Sequence, residues 1–327
     1  MTFHNMFAMS VLSAFFLLGT PVLAFEARTF EADDGTTWPY RLLKPGDYDA
    51  NMEYPMVLFL HGAGESGNDN GLQLKHIVRK FAEPQMMEKF PCFVIAPQNP
   101  HGMKWADVAW GAPRHSLADK PTLSLAAALE LCDAIIDEFN IDKGRIYCVG
   151  LSMGGYGTWD ALMRRPDFFA AAVPICGGAD DTKADLIKHI PVWVFHGARD
   201  PTVPVIRSRN IVAALKEAGA DPEPTYTEFP NVNHKSWGPA FATPGLFDWL
   251  FAQKRVIKKP PSDVAMSRDR ELRTWTSRKG STVTARLVKT SGYGSTVYLL
   301  TEDGKAMRIL GRQLSDEDNA YIESQKE

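Results

Sequence analysis

Cysteine is scarce: Cys92, Cys132, Cys148 and Cys176 are the four in 327 residues. None stands at metal-ligand spacing from a histidine or another cysteine, so no metal site is expected. Four cysteines allow three pairings. Cys92 and Cys148, however, fall in or beside apolar runs that read as core strands, and Cys132 falls on a helix. Buried free thiols acting as small apolar side chains are therefore the expectation. Long apolar runs are absent as well: residues 11–18 fall short of the roughly 20 that a membrane span needs. Charge of one sign is not in excess. The formal net charge is −3 and no block of like charges forms a tail, so neither nucleic acid nor an anionic membrane surface is an expected partner. Internal repeats and low-complexity tracts are missing too. What remains is an ordinary globular composition, 45% hydrophobic, with length for one large domain and something small.

The N-terminus carries a pattern of its own. Residues 11–18, then Gly19-Thr20-Pro21 and Val22-Leu23-Ala24, resemble the apolar core and small-residue cleavage site of an export signal, although Lys and Arg are missing ahead of them. Residues 1–24 are expected to be a signal peptide and the mature protein to be secreted or periplasmic, with no stable membrane insertion once the signal is cut.

Apolar runs between turn residues mark the strands. Residues 26–30 and 38–43 read as opening strands around an Asp33-Asp34-Gly35 turn. Residues 56–60 are continuously apolar, which suits a central strand covered on both faces. They run into a glycine-rich loop, His61-Gly62-Ala63-Gly64-Glu65-Ser66-Gly67. Residues 74–87 are expected to be helical with an interruption at Pro84, and residues 92–97 to form the next buried strand. Residues 98–120 hold Met103, Trp105 and Trp110 without periodicity, and loops of that length tend to be functional. Residues 123–139 carry an apolar stripe at helical spacing. Further strands are expected at 145–149, 170–175, 192–195 and 225–229. Helices are expected at 156–165, at 205–218 with Gly219 as its cap, and at 246–251. Strands alternating with helices give a doubly wound, mainly parallel α/β sheet over residues 25–252. Residues 253–267, with four cationic side chains and Pro260-Pro261, read as a linker. Beyond it, period-2 alternation around 283–287 and 297–299, another run at 306–310 and an acidic helix start near Asp316 describe a small β domain over 268–327.

The chemistry centres on Gly150-Leu151-Ser152-Met153-Gly154, between an apolar strand and a helix. That is the context of a nucleophile elbow, whose turn strains the serine backbone and leaves no room for side chains two residues to either side. Ser152 then stands at a helix N-terminus, where free N–H groups stabilise a developing anion. An activated serine needs a base, the base needs an orienting carboxylate, and the order here should be Ser, acid, His. Asp200 follows the strand at 192–195 and His234 the strand at 225–229, so both should emerge with the elbow at the carboxyl edge of the sheet. The oxyanion donors are expected to be the amide of Met153 and that of Ala63 or Gly64. His61 and His196, each in a His-Gly pair after a strand, read as structural, whereas His76, His101, His115 and His189 have no partner pattern. Trp105, Trp110 and Trp237 are expected to line an aromatic substrate pocket. Glu65 should hold either its own loop or a substrate hydroxyl.

His61-Gly-Ala-Gly-Glu-Ser-Gly, Gly150-Leu-Ser-Met-Gly-Gly-Tyr-Gly, His196-Gly-Ala-Arg-Asp200 and His234-Lys-Ser-Trp237 together resemble the α/β-hydrolase superfamily. Within it they resemble the secreted esterase branch related to polyhydroxybutyrate depolymerases and feruloyl esterases, often labelled prolyl-oligopeptidase-like. The similarity spans about residues 28–252. It implies a serine carboxylic-ester hydrolase with Ser152 as nucleophile, His234 as base and Asp200 as acid, needing no cofactor. Short-chain or aromatic acyl esters, free or on a polysaccharide, are the expected substrates. A true prolyl oligopeptidase carries a large gating domain ahead of the hydrolase, and few residues precede the first strand here, so ester chemistry is the first expectation. A peptidase acting on small peptides and a non-catalytic binding protein working through its C-terminal domain are the alternatives. Residues 268–324, through Arg273-Thr-Trp275-Thr-Ser-Arg-Lys-Gly280 and Leu314-Ser-Asp-Glu-Asp318 among others, resemble the SH3-like homology domain of a yeast endocytic adaptor. In that adaptor the domain binds short Asn-Pro-Phe-type peptides. Here an accessory module of unknown ligand is expected.

Overall fold

A computed structural model of the chain describes residues 24–256, 271–278, 280–291 and 296–324. The expected leader, Ala24 excepted, and residues 257–267 of the expected linker lie outside the described residues. The chain opens as a hairpin, β1 (Phe25–Glu31) antiparallel to β2 (Thr37–Leu43). β3 (Tyr54–Leu60) is buried along its whole length, as an apolar run without alternation requires. The helix expected at 74–87 does not form. The chain instead makes 3₁₀ turns at Leu72–Leu74 and Ile77–Ala82 and one short helix, α1 (Pro84–Lys89). Pro84 begins α1 rather than interrupting a helix. Its missing N–H is harmless in a first turn, and it forces the preceding Glu83 into extended backbone (φ −67°, ψ 135°).

β4 (Phe93–Pro97) is fully buried and leads into residues 98–122, which hold no helix or strand. α2 (Leu123–Glu138) begins where Thr122 Oγ1 accepts the Leu125 amide at 3.2 Å. β5 (Ile141–Leu151) runs almost directly into α3 (Met153–Arg164), which starts earlier than its apolar spacing suggests because the elbow glycines form its first turn. β6 (Ala171–Ile175), β7 (Trp193–Gly197), α4 (Ile206–Glu217), β8 (Thr225–Phe229), α5 (Trp237–Phe241) and α6 (Leu246–Ala252) complete this part.

The eight strands lie in the order β1-β2-β4-β3-β5-β6-β7-β8. From β4 onward the pairs are parallel, and the antiparallel hairpin caps one edge. Alternate residues of a strand face opposite sides, so β3 builds two cores at once. Met56, Leu58 and Leu60 pack with Leu125 of α2, Trp159 of α3 and Ile211 of α4. Val57 and Phe59 pack with Phe81, Phe241 and Leu250 on the other face. All four cysteines are free and buried, and burial pushes the thiols of Cys92, Cys148 and Cys176 up to about 12. Parallel strands end on one edge, and it is there that the loops after β3, β5, β7 and β8 meet.

β9 (Arg273–Thr276), β10 (Thr282–Ser291), β11 (Thr296–Thr301) and β12 (Ala306–Leu310) form a separate antiparallel sheet in the order β12-β11-β10-β9, followed by α7 (Asp316–Ser324). Trp275, Leu287, Val297, Leu299, Leu314 and Ile322 are its core. Asp318 ties helix to sheet by accepting from the Thr276 amide at 2.6 Å and Arg273 Nη2 at 2.7 Å. Among the described residues no helix is long and apolar enough to cross a membrane.

Candidate active site

Ser152 joins β5 to α3 with φ 54° and ψ −116°, a conformation that costs a non-glycine residue on the order of 1–3 kcal/mol. The turn is held from outside, for Ser152 N donates to Ile175 O of β6 at 2.9 Å. Glycines stand two residues to either side because backbone passes where side chains would be. A Cβ on Gly150 would stand 2.2 Å from Gly154 O, and one on Gly154 would stand 1.9 Å from Leu60 O. That close approach seats the first turn of α3 against the end of β3 and the loop that follows.

Ser152 Oγ lies 2.8 Å from His234 Nε2, and His234 Nδ1 lies 2.7 Å from Asp200 Oδ2. The three side chains come from the loops after β5, β8 and β7. The Asp200 side chain is fully buried, with Oδ1 accepting from the amides of Thr202 at 2.8 Å and Val203 at 2.9 Å. Burial alone would push its carboxyl up. Hydrogen bonds from His196, His234 and the two amides outweigh burial and hold it far below the usual carboxylate range. Asp200 is thus an anion that can only accept, so His234 Nδ1 carries a proton and Nε2 is left to accept from the Ser152 hydroxyl. This arrangement lets an imidazole take a serine proton and keep the resulting charge beside a carboxylate.

His196 does more than the structural part expected of it. The ring is completely buried, and Nε2 lies 3.0 Å from Val203 O and 3.2 Å from Asp200 Oδ2. Two acceptors face that nitrogen, so it carries the proton, while Nδ1 sits 2.7 Å from Ser208 Oγ. Asp200 Oδ2 is therefore shared by two imidazoles. His61, read as structural, is placed as a brace. Nδ1 is 2.6 Å from Gly62 O and Nε2 accepts the Asn99 amide at 2.9 Å, while burial pushes the imidazole down to about 4 and keeps it neutral. The amides of Met153, Ala63 and Gly64 make no hydrogen bond within the described residues, so all three are free to donate to a ligand.

The substrate-facing expectations divide. Trp105 is fully buried and does not line a pocket; its Nε1 donates to His61 O at 3.0 Å and its ring stands edge-on to His61 at 5.3 Å. It supports the 61–67 loop from behind, because an indole in the β3–α3 core is worth more than one in water. The Trp110 carbonyl accepts from Tyr156 Oη at 2.8 Å, which pins the long loop to α3. Trp237, at the start of α5, stands edge-on to His234 with ring centroids 5.6 Å apart. Glu65 is buried, and its Oε1 lies 3.0 Å from Nε2 of His76, a residue for which the sequence holds no partner signal. Neither α5 nor this pair shows in the apolar pattern, since both depend on which loops meet.

Cys176, Asp200 and His234 have donor atoms within 4.8 Å of one another, close enough to share an ion. They fit one poorly. Both His234 nitrogens are engaged by Ser152 and Asp200, and the buried Cys176 thiol, pushed up to about 12, stays protonated.

The prolyl oligopeptidase family matches residues 93–194. The bifunctional acetylxylan esterase/xylanase XynS20E of Neocallimastix patriciarum is 28% identical over 120 residues, 34% of this chain and 17% of that protein. Dipeptidyl-peptidase 5 of Porphyromonas gingivalis is 27% identical over 158 residues, 48% of this chain and 22% of that protein. The chain thus spans between 17% and 22% of the length of these two relatives. The crystal structure of a thermostable esterase superposes with a TM-score of 0.66 at 42% identity, covering 72% of this chain and 64% of that one. The parallel sheet with its strand-to-helix elbow, taken with these similarities, gives the chain the α/β-hydrolase fold.

Proposed function

We propose that the protein is a serine hydrolase of carboxylic esters. The unbroken line from Ser152 Oγ through His234 to Asp200 carries this reading. Ser152 attacks the ester carbonyl while His234 Nε2 takes its proton. The tetrahedral oxyanion is held by the Met153 amide and that of Ala63 or Gly64, and the imidazolium then protonates the departing alcohol. Water, deprotonated by the same imidazole, releases the acid, so the cycle needs no cofactor. Similarity to a thermostable esterase favours an ester, and similarity to an acetylxylan esterase favours a short acyl chain on a polysaccharide, with aromatic acyl esters as the other substrates to try. The leader-like residues 1–24 favour export. The small C-terminal sheet, over the expected 268–327, serves as an SH3-like accessory module.

A second reading, a peptidase on small peptides, is favoured by the prolyl oligopeptidase match and by Dipeptidyl-peptidase 5. The two part on substrate. Phenyl and naphthyl esters should be cleaved faster than aminoacyl anilides, and the reverse order would establish the peptidase. A fluorophosphonate probe should label the wild type and not Ser152→Ala, whose ester hydrolysis should fall about 10⁴-fold or more. Folded wild-type protein that takes up no probe would defeat both hydrolase readings and favour a binding protein.

A further inference from the structure

Glu65 ends the 3₁₀ turn Ala63–Glu65, which also carries two of the free amides, and its side chain is 7% exposed. Oε1 lies 3.0 Å from His76 Nε2, and Oε2 would stand 2.9 Å from a Cβ placed on Gly62. The carboxylate is thus fixed between loop backbone and imidazole. A carboxylate only accepts, so His76 Nε2 carries a proton and, in the neutral ring, Nδ1 remains an acceptor. Nδ1 has no hydrogen bond within the described residues, and the side chain is 29% exposed. The His76 ring faces Trp237 at 5.3 Å, tilted 45°, and Trp237 stands edge-on to His234 at 5.6 Å. From the 61–67 loop to His234 the contacts therefore run Glu65, His76, Trp237.

The departing alcohol must take its proton from His234 Nε2, which places the alcohol half of the substrate against that imidazole. Trp237 and then His76 are the rings that adjoin that imidazole in turn. An indole offers an apolar face for C–H groups, and a carboxylate-held imidazole offers a directed acceptor for an O–H. Sugars present both features at once, whereas simple alkyl and aryl alcohols lack the hydroxyl. We propose that His76, oriented by Glu65 and flanked by Trp237, forms the alcohol-side subsite and accepts a hydrogen bond from a sugar hydroxyl neighbouring the ester. The subsite rests on the esterase reading and narrows it to acylated carbohydrate.

The test compares kcat/KM of the full-length protein on an acetylated methyl glycoside and on p-nitrophenyl acetate, which share an acyl group. Wild type, His76→Ala, His76→Phe and His76→Asn are each checked for Ser152 labelling by a fluorophosphonate. The ratio of sugar ester to aryl ester should fall about tenfold or more in His76→Ala and His76→Phe, the loss of one directed hydrogen bond. His76→Asn, whose Oδ1 can accept the same bond, should recover part of it. A ratio staying within about twofold of wild type in either labelled variant overturns the subsite. Wild type that cleaves p-nitrophenyl acetate but not the glycoside ester overturns it too, with the esterase reading intact. Wild type that cleaves neither fails the esterase reading itself.

Discussion

Asp200 Oδ2 receives one imidazole N–H at 2.7 Å and faces another nitrogen at 3.2 Å, and the second has a predictable effect on the first. A donor from His196 withdraws charge from the carboxylate and so weakens its hold on a His234 imidazolium. In His196→Asn the carboxylate becomes a stronger partner for the imidazolium that forms as Ser152 attacks. The kcat/KM on the plateau of the pH profile should rise, by up to about tenfold if the lost bond is worth about 1.5 kcal/mol. An unchanged plateau would leave His196 only a packing role. Trp105 illustrates the same scale from the other side. Its sequence context, a long unpatterned loop, suggested a pocket, yet the indole is buried and serves the loop that carries the free amides.

At the scale of elements, α3 matters through the depth at which it docks. Its first turn lies against the carbonyls of Leu60 and His61, which brings helix start, β3 end and the 61–67 loop together. Gly154→Ala would put a methyl group inside contact distance of backbone, and backbone cannot step aside as a side chain can. Urea unfolding should show a loss of about 3 kcal/mol or failure to fold, with loss of probe labelling at least as severe. A variant as stable as wild type would mean the elbow is looser than drawn. The residues after the 61–67 loop teach a further point. Helical spacing between 74 and 87 is real, but Asp69 accepts from the amides of Gly71 and Leu72 just ahead of it, and Pro84 forbids continuity, so two 3₁₀ turns and a short helix result.

Across the whole molecule, the C-terminal sheet has its own core. Trp275 and its apolar neighbours form a cluster separate from the two that sandwich the large sheet. Trp275→Ala should destabilise the small sheet by about 3–5 kcal/mol. Hydrogen exchange should then accelerate across residues 273–322 while Ser152 still labels with a fluorophosphonate. Lost labelling would show that the large sheet depends on the small one.

Much of this architecture was legible in the order of residues. Apolar runs, turn formers and helical stripes are local signals, and they placed the parallel strands, α2, α4 and the elbow, with Asp200 and His234 on later strand exits. Those three side chains meet because parallel strands deliver their loops to one edge. The remainder belonged to the tertiary structure. That His196 bears on Asp200, that Glu65 holds His76 beside Trp237, and that Trp105 faces inward all depend on distances between loops far apart in the chain. No periodicity encodes such distances. They are set when the two cores close around β3 and the loops at its carboxyl end are forced into the same space.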